Sequence, residues 1–210
     1  KSIVTTQRIM ETLVVYQGKN FDPKVNHSID VAGGLLLPAE NLPIDPYVLG
    51  LWLGDGNSDG SGFTTSDEEL VEAFVLAGFI VKDKKNAKFH YGINGFCTVA
   101  RENNLYKNKH IPKIYLRASY HQRLALLQGL MDTDGYADKS RCEFCSTNKT
   151  MAYQVLELTR TMGIRSYMCL GRAKLYGKDC GEKYRVMFTT DLPVFRLKRK
   201  LDNLKSSVSI

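Results

Sequence analysis

The sequence predicts an α+β fold made of two related halves that follow a short N-terminal segment. One phrase occurs twice, 79 residues apart: residues 48–56 read VLGLWLGDG, and residues 127–135 read LQGLMDTDG. After each copy, strand and helix patterns follow in the same order. The strands alternate apolar and polar residues, as in antiparallel sheets with one wet face. We therefore expect an extension and linker over 1–46 and two repeats over 47–120 and 121–210.

The N-terminal segment is predicted to contain a helix, a loop and a strand. Thr5 and Thr6 are candidate caps of a short helix that runs to about residue 11. Residues 18–26 are rich in Gly, Asn, Asp and Pro and predict a loop, whereas the alternation over 28–31 predicts a strand. Prolines at 38, 43 and 46 mark the linker into the first phrase.

Each phrase is predicted to be a helix that packs against its twin. Gly50 and Gly54 lie four residues apart and therefore share one helix face, and Gly129 and Thr133 repeat this spacing. Small residues at this spacing let two backbones approach closely. A glycine inside a helix costs about 1 kcal/mol relative to alanine, so a packing reason for these glycines is expected.

Both helices are predicted to end in an aspartate, Asp55 or Asp134, followed by a glycine that adopts the left-handed conformation. A carboxylate at this end is unfavourable because the helix dipole is negative there. A bound divalent cation reverses that argument. Two carboxylates beside free carbonyl groups form an oxygen-rich site that suits Mg²⁺.

The phrases allow two other interpretations. The first is a pair of ordinary helices that end in Asp-Gly turns. The second is calcium binding, because residues 55–60 match the first half of an EF-hand loop. Position twelve of that loop is Ser66 instead of the glutamate that the loop requires.

The elements that follow each phrase run in parallel. We predict strands at 62–65 and 141–147, then helices at 67–77 and 149–162 that each end at a glycine, then strands at 88–94 and 183–188. In the strand predicted at 88–94, Phe89, Tyr91 and Ile93 are expected on the buried face. Polar and cationic side chains occupy the opposite faces, which suits the major groove of DNA. An ordinary solvated sheet face is the alternative.

Charge and composition favour a nucleic-acid partner. The chain has 210 residues, 43% of them hydrophobic, and a formal net charge of +7. Residues 1–163 contain 18 basic and 18 acidic side chains, whereas residues 164–210 contain 11 basic and 4 acidic ones. A basic region confined to one part of the chain indicates a polyanion, with a solvated basic tail as the alternative.

The remaining compositional features predict an intracellular protein that acts on the host DNA in the cytoplasm or nucleoid. The sequence shows neither a membrane-length apolar run nor a signal peptide. The five cysteines include Cys142 and Cys145, whose CxxC spacing lacks a second close pair or a nearby histidine. We interpret these two as strand residues and expect free thiols in a reducing compartment.

The two phrases resemble the signature of LAGLIDADG homing endonucleases, in the monomeric form that has two motifs. The second phrase keeps both acids and departs at Gln128, Met131 and Thr133; the first keeps the last acid but has Leu53 in place of the first. The stretch 42–47, which runs into the first phrase, resembles the intein-encoded branch. The resemblance covers roughly residues 42 to 200.

The resemblance implies two αββαββα units related by pseudo-twofold symmetry, which form a DNA-binding β-saddle. It implies a double-strand break in a long asymmetric target, with two or more Mg²⁺ ions as cofactor and Mn²⁺ or Ca²⁺ able to replace them in binding. By this resemblance Asp55 and Asp134 are catalytic metal ligands, assisted by the backbone carbonyls of Gly54 and Thr133.

The resemblance also implies an active-site lysine for each half. Lys109 lies in Asn-Lys-His-Ile-Pro, which resembles the Lys-Ile-Pro element that precedes the second motif in intein endonucleases. Lys200 is the expected counterpart, with Lys198 as the next candidate. Because the chain begins at Lys1 and ends at Ile210, we expect an endonuclease portion without the residues for protein splicing.

The predicted partner is double-stranded DNA, bound by a monomer without membrane contact. Residues 1–46 either add contacts at one flank or only pack against the core. The cationic or amide side chains predicted to contact DNA are Lys88, His90, Asn94, Arg141, Arg165, Arg172, Lys174, Lys183, Arg185 and Lys198.

Two other functions compete with cleavage. One is a DNA- or RNA-binding protein of the same fold that does not cut, such as a maturase or a decayed endonuclease. The other is an unrelated metal-binding or structural protein. The presence of Asp55, Asp134 and Lys109 favours an endonuclease.

Overall fold

The structure, a computed structural model, describes residues 3–17, 22–84 and 87–204. Contacts divide the chain into two units, 1–32 and 33–210, and the second unit contains both phrases. Residues 33–46 therefore belong to the larger unit. Among the described residues, no helix combines the length and the apolar composition that crossing a membrane requires.

The described residues of the first unit form one helix and a two-stranded antiparallel sheet: α1 (Thr6–Glu11), β1 (Val14–Gln17) and β2 (Asp22–Val25). The hydroxyl of Thr5 accepts a hydrogen bond from the Arg8 amide, which confirms the predicted cap. The strand predicted over 28–31 is wrong, because this stretch is irregular. A strand needs a neighbour for its backbone groups, and in this unit β1 and β2 pair with each other.

The predicted loop over 18–26 is also wrong in part, because residues 22–25 form β2. The proline in this strand lacks an amide proton but lies on a sheet of only two strands, where both strands are edges. Residues 18–21 of the predicted loop lie outside the described residues.

The second unit contains two successions of helices and strands. The first half consists of α2 (Pro46–Asp55), β3 (Gly62–Thr64), α3 (Glu68–Leu76), β4 (Ile80–Asp83), β5 (His90–Asn94), α4 (Phe96–Glu102) and α5 (Lys113–Leu116). The second half consists of α6 (Tyr120–Asp134), β6 (Gly135–Asp138), β7 (Arg141–Ser146), α7 (Lys149–Thr161), β8 (Ser166–Leu175), β9 (Lys178–Thr189) and α8 (Lys198–Leu201).

The α+β class is confirmed, with one antiparallel sheet in each half. The strand orders are β3-β5-β4 and β6-β7-β9-β8. The second half follows the succession αββαββα. The first half has one strand fewer before α3, because the segment after α2 makes only an isolated bridge between Gly56 and Phe63.

The helices α2 and α6 lie at the centre of the core. Eight consecutive residues of α2, 46–53, are buried. The side chain of Asp45 caps α2 by accepting from two backbone amides, and Ser119 forms a capping box with Gln122 at the start of α6. Both caps fix where the two phrase helices begin.

The glycines that follow helices are of two kinds. Gly78 and Gly163 have φ values of 90° and 78°, as expected for left-handed caps. The same expectation is wrong for Gly56 and Gly135, whose backbones are extended with φ of −75° and −91°. A Cβ at either position would lie 2.5 Å from the carbonyl oxygen of the residue four positions earlier. Lack of space therefore explains these two glycines.

Strand β5 begins later than predicted. Residues 87–89 form a turn in which the His90 amide donates to the Ala87 carbonyl. Phe89 has a φ of 64° and is 44% exposed, so its expected place on the buried face is wrong. The side chain of Lys88 lies over the Phe89 ring, 4.7 Å from its centroid. Residues 85–86 are not described, and the turn itself removes Phe89 from the alternation.

Candidate active site

The two phrase helices meet backbone to backbone. A Cβ built on Gly50 would lie 2.5 Å from the Leu126 carbonyl oxygen and 2.9 Å from the Gly129 Cα. A Cβ on Gly54 would overlap the side chain of Thr133. This contact brings the C-terminal ends of α2 and α6 side by side, with the aspartate of each phrase at its last residue.

A lysine binds the end of each phrase helix. Lys109 Nζ donates to the carbonyl oxygens of Leu53 and Gly54, both at 3.0 Å. Lys200 Nζ donates to three carbonyl oxygens of the α6 end, each at 2.9 Å: those of Met131, Thr133 and Gly135. The cations thus complement the negative ends of the helix dipoles.

The four groups influence each other electrostatically. Burial, followed by the charge of Asp55, raises the pKa of Asp134 to about 6. Burial also raises the pKa of Asp55, although Lys200 and Lys109 oppose this shift. The pKa of Lys109 is lowered to about 8 by burial, against the influence of Asp134 and Asp55. Burial, with Arg199, lowers the pKa of Lys200. The site therefore holds two carboxylates whose joint ionisation is costly.

These donors fit a magnesium ion. Among residues 3–17, 22–84 and 87–204, no group of three or more His, Cys, Asp or Glu side chains could hold a metal. Mg²⁺, however, is commonly held by one or two carboxylates together with water and substrate phosphates. Gly54 and Thr133 each offer a carbonyl oxygen that already accepts from a lysine and retains a second lone pair.

A cavity of about 430 Å³ opens beside this site. Its lining includes Lys109, Asp134, Cys145, Asn148 and Lys183. The helix ends are therefore accessible from the side of the second sheet, where cationic side chains border the opening.

The open face of the second sheet is mixed in charge. In register, Arg141, Glu143 and Cys145 of β7 lie opposite Thr189, Met187 and Arg185 of β9. The intervening residues of both strands, such as Cys142, Phe144 and Phe188, are buried. Arg185 lies 3.7 Å from Glu143, and its buried Nε makes no hydrogen bond within the described structure. The expected cationic face thus includes an acid.

Some predicted DNA contacts lie elsewhere. Cys169 and Gly171 of β8 pair with Arg185 and Lys183 of β9 and therefore share the open face of the sheet. Arg172 and Lys174 alternate with them along β8, so these two side chains project from the other face. Arg172 is also paired with Asp179 at 2.7 Å. A register shift between Arg172 and Lys174 marks an irregularity near the end of this hairpin.

The other predicted contacts are spread over both halves. His90 and Asn94 share one face of β5, where the His90 Nδ1 lies 2.9 Å from the hydroxyl of Thr64. Arg165 precedes β8, and Lys198 begins α8; both are exposed. The structure therefore gathers Arg141, Lys183 and Arg185 on one open face and distributes the rest, including Lys88.

The interpretation of the CxxC pair as strand residues is confirmed. Both cysteines lie in β7, and all five cysteines of the chain are free. Cys142 is buried, whereas Cys145 is half-buried on the open face. Because residues three apart in a strand project from opposite faces, the two thiols do not converge.

Sequence reasoning missed the role of Asp132. This residue is 2% exposed and lies in the interface between α2 and α6. Its carboxylate accepts from the Tyr47 hydroxyl at 2.8 Å and from the amides of Arg196 and Leu197 at 3.0 and 3.2 Å. Burial raises its pKa, although these hydrogen bonds oppose the shift. The sequence did contain an indication of this role, because Asp132 is an acid within an apolar phrase and the equivalent position of the first phrase is Leu53.

Comparisons with known proteins bear on this site. Residues 121–179 match the model of a LAGLIDADG-like domain, which supports the resemblance of the second phrase. The replicative DNA helicase DnaB of Mycobacterium intracellulare is 32% identical over 200 residues, which cover 95% of this chain and 32% of that protein. The chain therefore spans about a third of the length of this relative.

Solved structures of the homing endonuclease I-DmoI are also similar. Mesophilic variants of that enzyme match 70% of this chain and 83% of theirs, with 16% identity and a TM-score of 0.48. The complex of I-DmoI with DNA and Mn matches 70% and 89%, with 18% identity and a TM-score of 0.46.

Proposed function

We propose that this chain is a site-specific homing endonuclease, because residues 121–179 match the model of a LAGLIDADG-like domain. It makes a double-strand break in a long asymmetric DNA target and depends on Mg²⁺. The observation that carries the proposal is the convergence of Asp55, Asp134, Lys109 and Lys200 at the joined ends of the two phrase helices.

The residues of the site match the needs of phosphodiester hydrolysis. Asp55 and Asp134 would hold Mg²⁺, with the carbonyls of Gly54 and Thr133, and the metal would supply charge neutralisation and water activation. Lys109, whose pKa of about 8 lies near neutrality, is suited to polarise water or accept a proton. Lys200 adds a second positive charge beside the developing negative charge.

The duplication explains two cuts by one chain. Two carboxylates and two lysines meet at the joined helix ends, where Lys109 influences Asp134 more than Lys200 does and Lys200 influences Asp55 more than Lys109 does. The site therefore offers one acid and one lysine for each strand of the duplex. We propose a monomer with repeats 47–120 and 121–210, whose sheets contact the DNA on both sides of the cut. Lys183, Arg185 and Arg141 would contact phosphates or base edges of one half-site.

We propose that the chain is of the intein-encoded type, carried within a longer protein. It matches a third of a replicative helicase, yet it lacks the Gly-Lys-Ser/Thr of a P-loop. Its two Gly-Lys pairs are followed by Asn20 and Asp179. Such a match is expected when the similarity lies in an element inserted into a helicase instead of in the ATPase itself.

A direct test is selection of bound sequences from a randomised duplex library, followed by cleavage of a plasmid that bears the selected site. We expect linear product with Mg²⁺, and binding without cutting when EDTA is present. Asp134→Asn should bind the site without cutting it, whereas Asp138→Asn, an exposed carboxylate on β6, should cut normally. Tight binding without product under any divalent ion would instead support a maturase or a decayed endonuclease.

A further inference from the structure

We propose that Asp132 is a positioning residue for Lys200, and that different sets of hydrogen bonds position Lys200 and Lys109. The proposal rests on the endonuclease function for its kinetic test. Asp132, Tyr47 and Lys200 are buried or half-buried, and their hydrogen bonds connect the acid to the lysine.

The carboxylate of Asp132 anchors the segment that leads into α8. It accepts from the backbone amides of Arg196 and Leu197. Leu197 is the N-cap residue of α8, and its carbonyl accepts from the Lys200 amide at 3.0 Å. The path from Asp132 to the lysine is therefore one hydrogen-bonded turn, and α8 has no side-chain cap of its own.

The same carboxylate also joins the two phrase helices. The hydroxyl of Tyr47, in the first turn of α2, donates to Asp132 at 2.8 Å. The guanidinium of Arg196 lies over the Tyr47 ring, 3.9 Å from its centroid. One buried acid thus connects α2, α6 and the segment that carries Lys200.

Lys109 is positioned by other means. The position equivalent to Asp132 in the first phrase is Leu53, which offers no acceptor side chain. Instead, Asn148 donates to the Lys109 carbonyl at 3.1 Å. Gln154 accepts from the Ile111 amide at 2.8 Å and donates to the Ile111 carbonyl at 3.0 Å. Both side chains come from the α7 region of the second half.

This difference predicts separable effects on the two DNA strands. In Asp132→Asn one acceptor oxygen becomes an amide nitrogen that only donates, so the Tyr47 hydroxyl must turn to accept, and the hydrogen bonds from Arg196 and Leu197 lose the assistance of the negative charge. Misplacing Lys200 should slow the cutting of one strand by roughly 10- to 100-fold and cause nicked circles to accumulate. Lys200→Met should slow the same strand, and Gln154→Met, which releases Lys109, should slow the other.

The experiment measures both strands of an end-labelled target and the reactivity of individual lysines. In Asp132→Asn, acetylation of Lys200 followed by mass spectrometry should be faster than in wild type, while that of Lys109 stays unchanged. In a Lys200→Met background, Asp132→Asn should have no further effect on cutting. Parallel slowing of both strands, additive effects, or unchanged Lys200 reactivity would each overturn the proposal.

Two further arms keep the inference separate from the proposed function. If wild type does not cut DNA, the endonuclease proposal fails and the acetylation result alone decides the role of Asp132. If Asp132→Asn does not fold, as judged by thermal unfolding, Tyr47→Phe removes one of the three donors and leaves the carboxylate. That variant should shift strand bias and Lys200 reactivity in the same direction by a smaller amount.

Discussion

Replacing Asp134 with asparagine should stabilise the metal-free protein at neutral pH while it abolishes cutting. Burial and the charge of Asp55 raise the pKa of Asp134 from 3.8 to about 6. The folded state therefore binds this proton more tightly than the unfolded state. That stabilisation is fully present below pH 3.8 and is lost as the pH rises through about 6.

The size of the effect follows from the shift. About two pKa units would correspond to roughly 3 kcal/mol for a fully buried group, but Asp134 is exposed to solvent, and screening by water reduces the expected gain to roughly 1 kcal/mol. For a chain of this size, roughly 1 kcal/mol raises the melting temperature by about 2–4 °C. Asparagine carries no charge at any pH, so the variant keeps the stability that wild type loses.

The assay is thermal unfolding of both proteins in EDTA from pH 4 to pH 8, followed by circular dichroism. The difference in melting temperature should grow with pH and level off above about pH 7. Asp138→Asn should show no such trend. Added Mg²⁺ should raise the melting temperature of wild type but not of Asp134→Asn. A difference that does not vary with pH, or a variant less stable than wild type at pH 7.5, would refute the reasoning.

Three other predictions follow from the same geometry. Gly50→Ala should lower the urea midpoint by an amount equivalent to about 3 kcal/mol or more, because the new Cβ would lie 2.5 Å from the Leu126 carbonyl oxygen. Gly171→Ala is the control, because its new Cβ would meet only the flexible Lys183 side chain at 3.4 Å, and it should change the urea midpoint little. If both variants lowered the urea midpoint equally, the packing explanation for Gly50 would be wrong. Lys109→Met should reduce single-turnover cutting by roughly 100-fold or more without weakening binding in a gel-shift assay, and retained cutting would remove it from the chemistry. Lys183→Ala should reduce the slope of the logarithm of the DNA-binding constant against the logarithm of salt concentration by about 1. An unchanged slope would show that Lys183 contacts no phosphate.

The sequence predicted the centre of the molecule better than its periphery. The repeated phrase specified both a helix and its partner, because the four-residue spacing of Gly50 and Gly54, repeated by Gly129 and Thr133, predicted a close contact between the two helices. Lys109 was found by resemblance to a short element, because nothing in its local pattern indicates that its side chain returns to the end of α2. Small residues at regular spacing predict a contact between two similar helices, because the pattern lies within each helix. The group that a long side chain such as Lys109 contacts depends on the fold and cannot be predicted from neighbouring residues.

The errors have a common physical cause. Residues 28–31 alternate like a strand but are irregular in the structure, and Phe89 alternates correctly but lies in a turn. Alternation reports the preference of a segment, whereas pairing depends on a second segment elsewhere in the chain. Asp132 was missed for the same reason, since two of its three donors are backbone amides that no side-chain pattern reveals.

The contact between Gly50 and Gly129 has a consequence for protein engineering. Because main chain meets main chain there, a side chain at either position would force the two halves apart. Chimaeras that combine one half of this chain with one half of a relative should assemble when both donors keep hydrogen as the side chain at these positions. The same requirement holds at Gly54, where a Cβ would overlap the side chain of Thr133, so module compatibility can be screened first at these glycine positions.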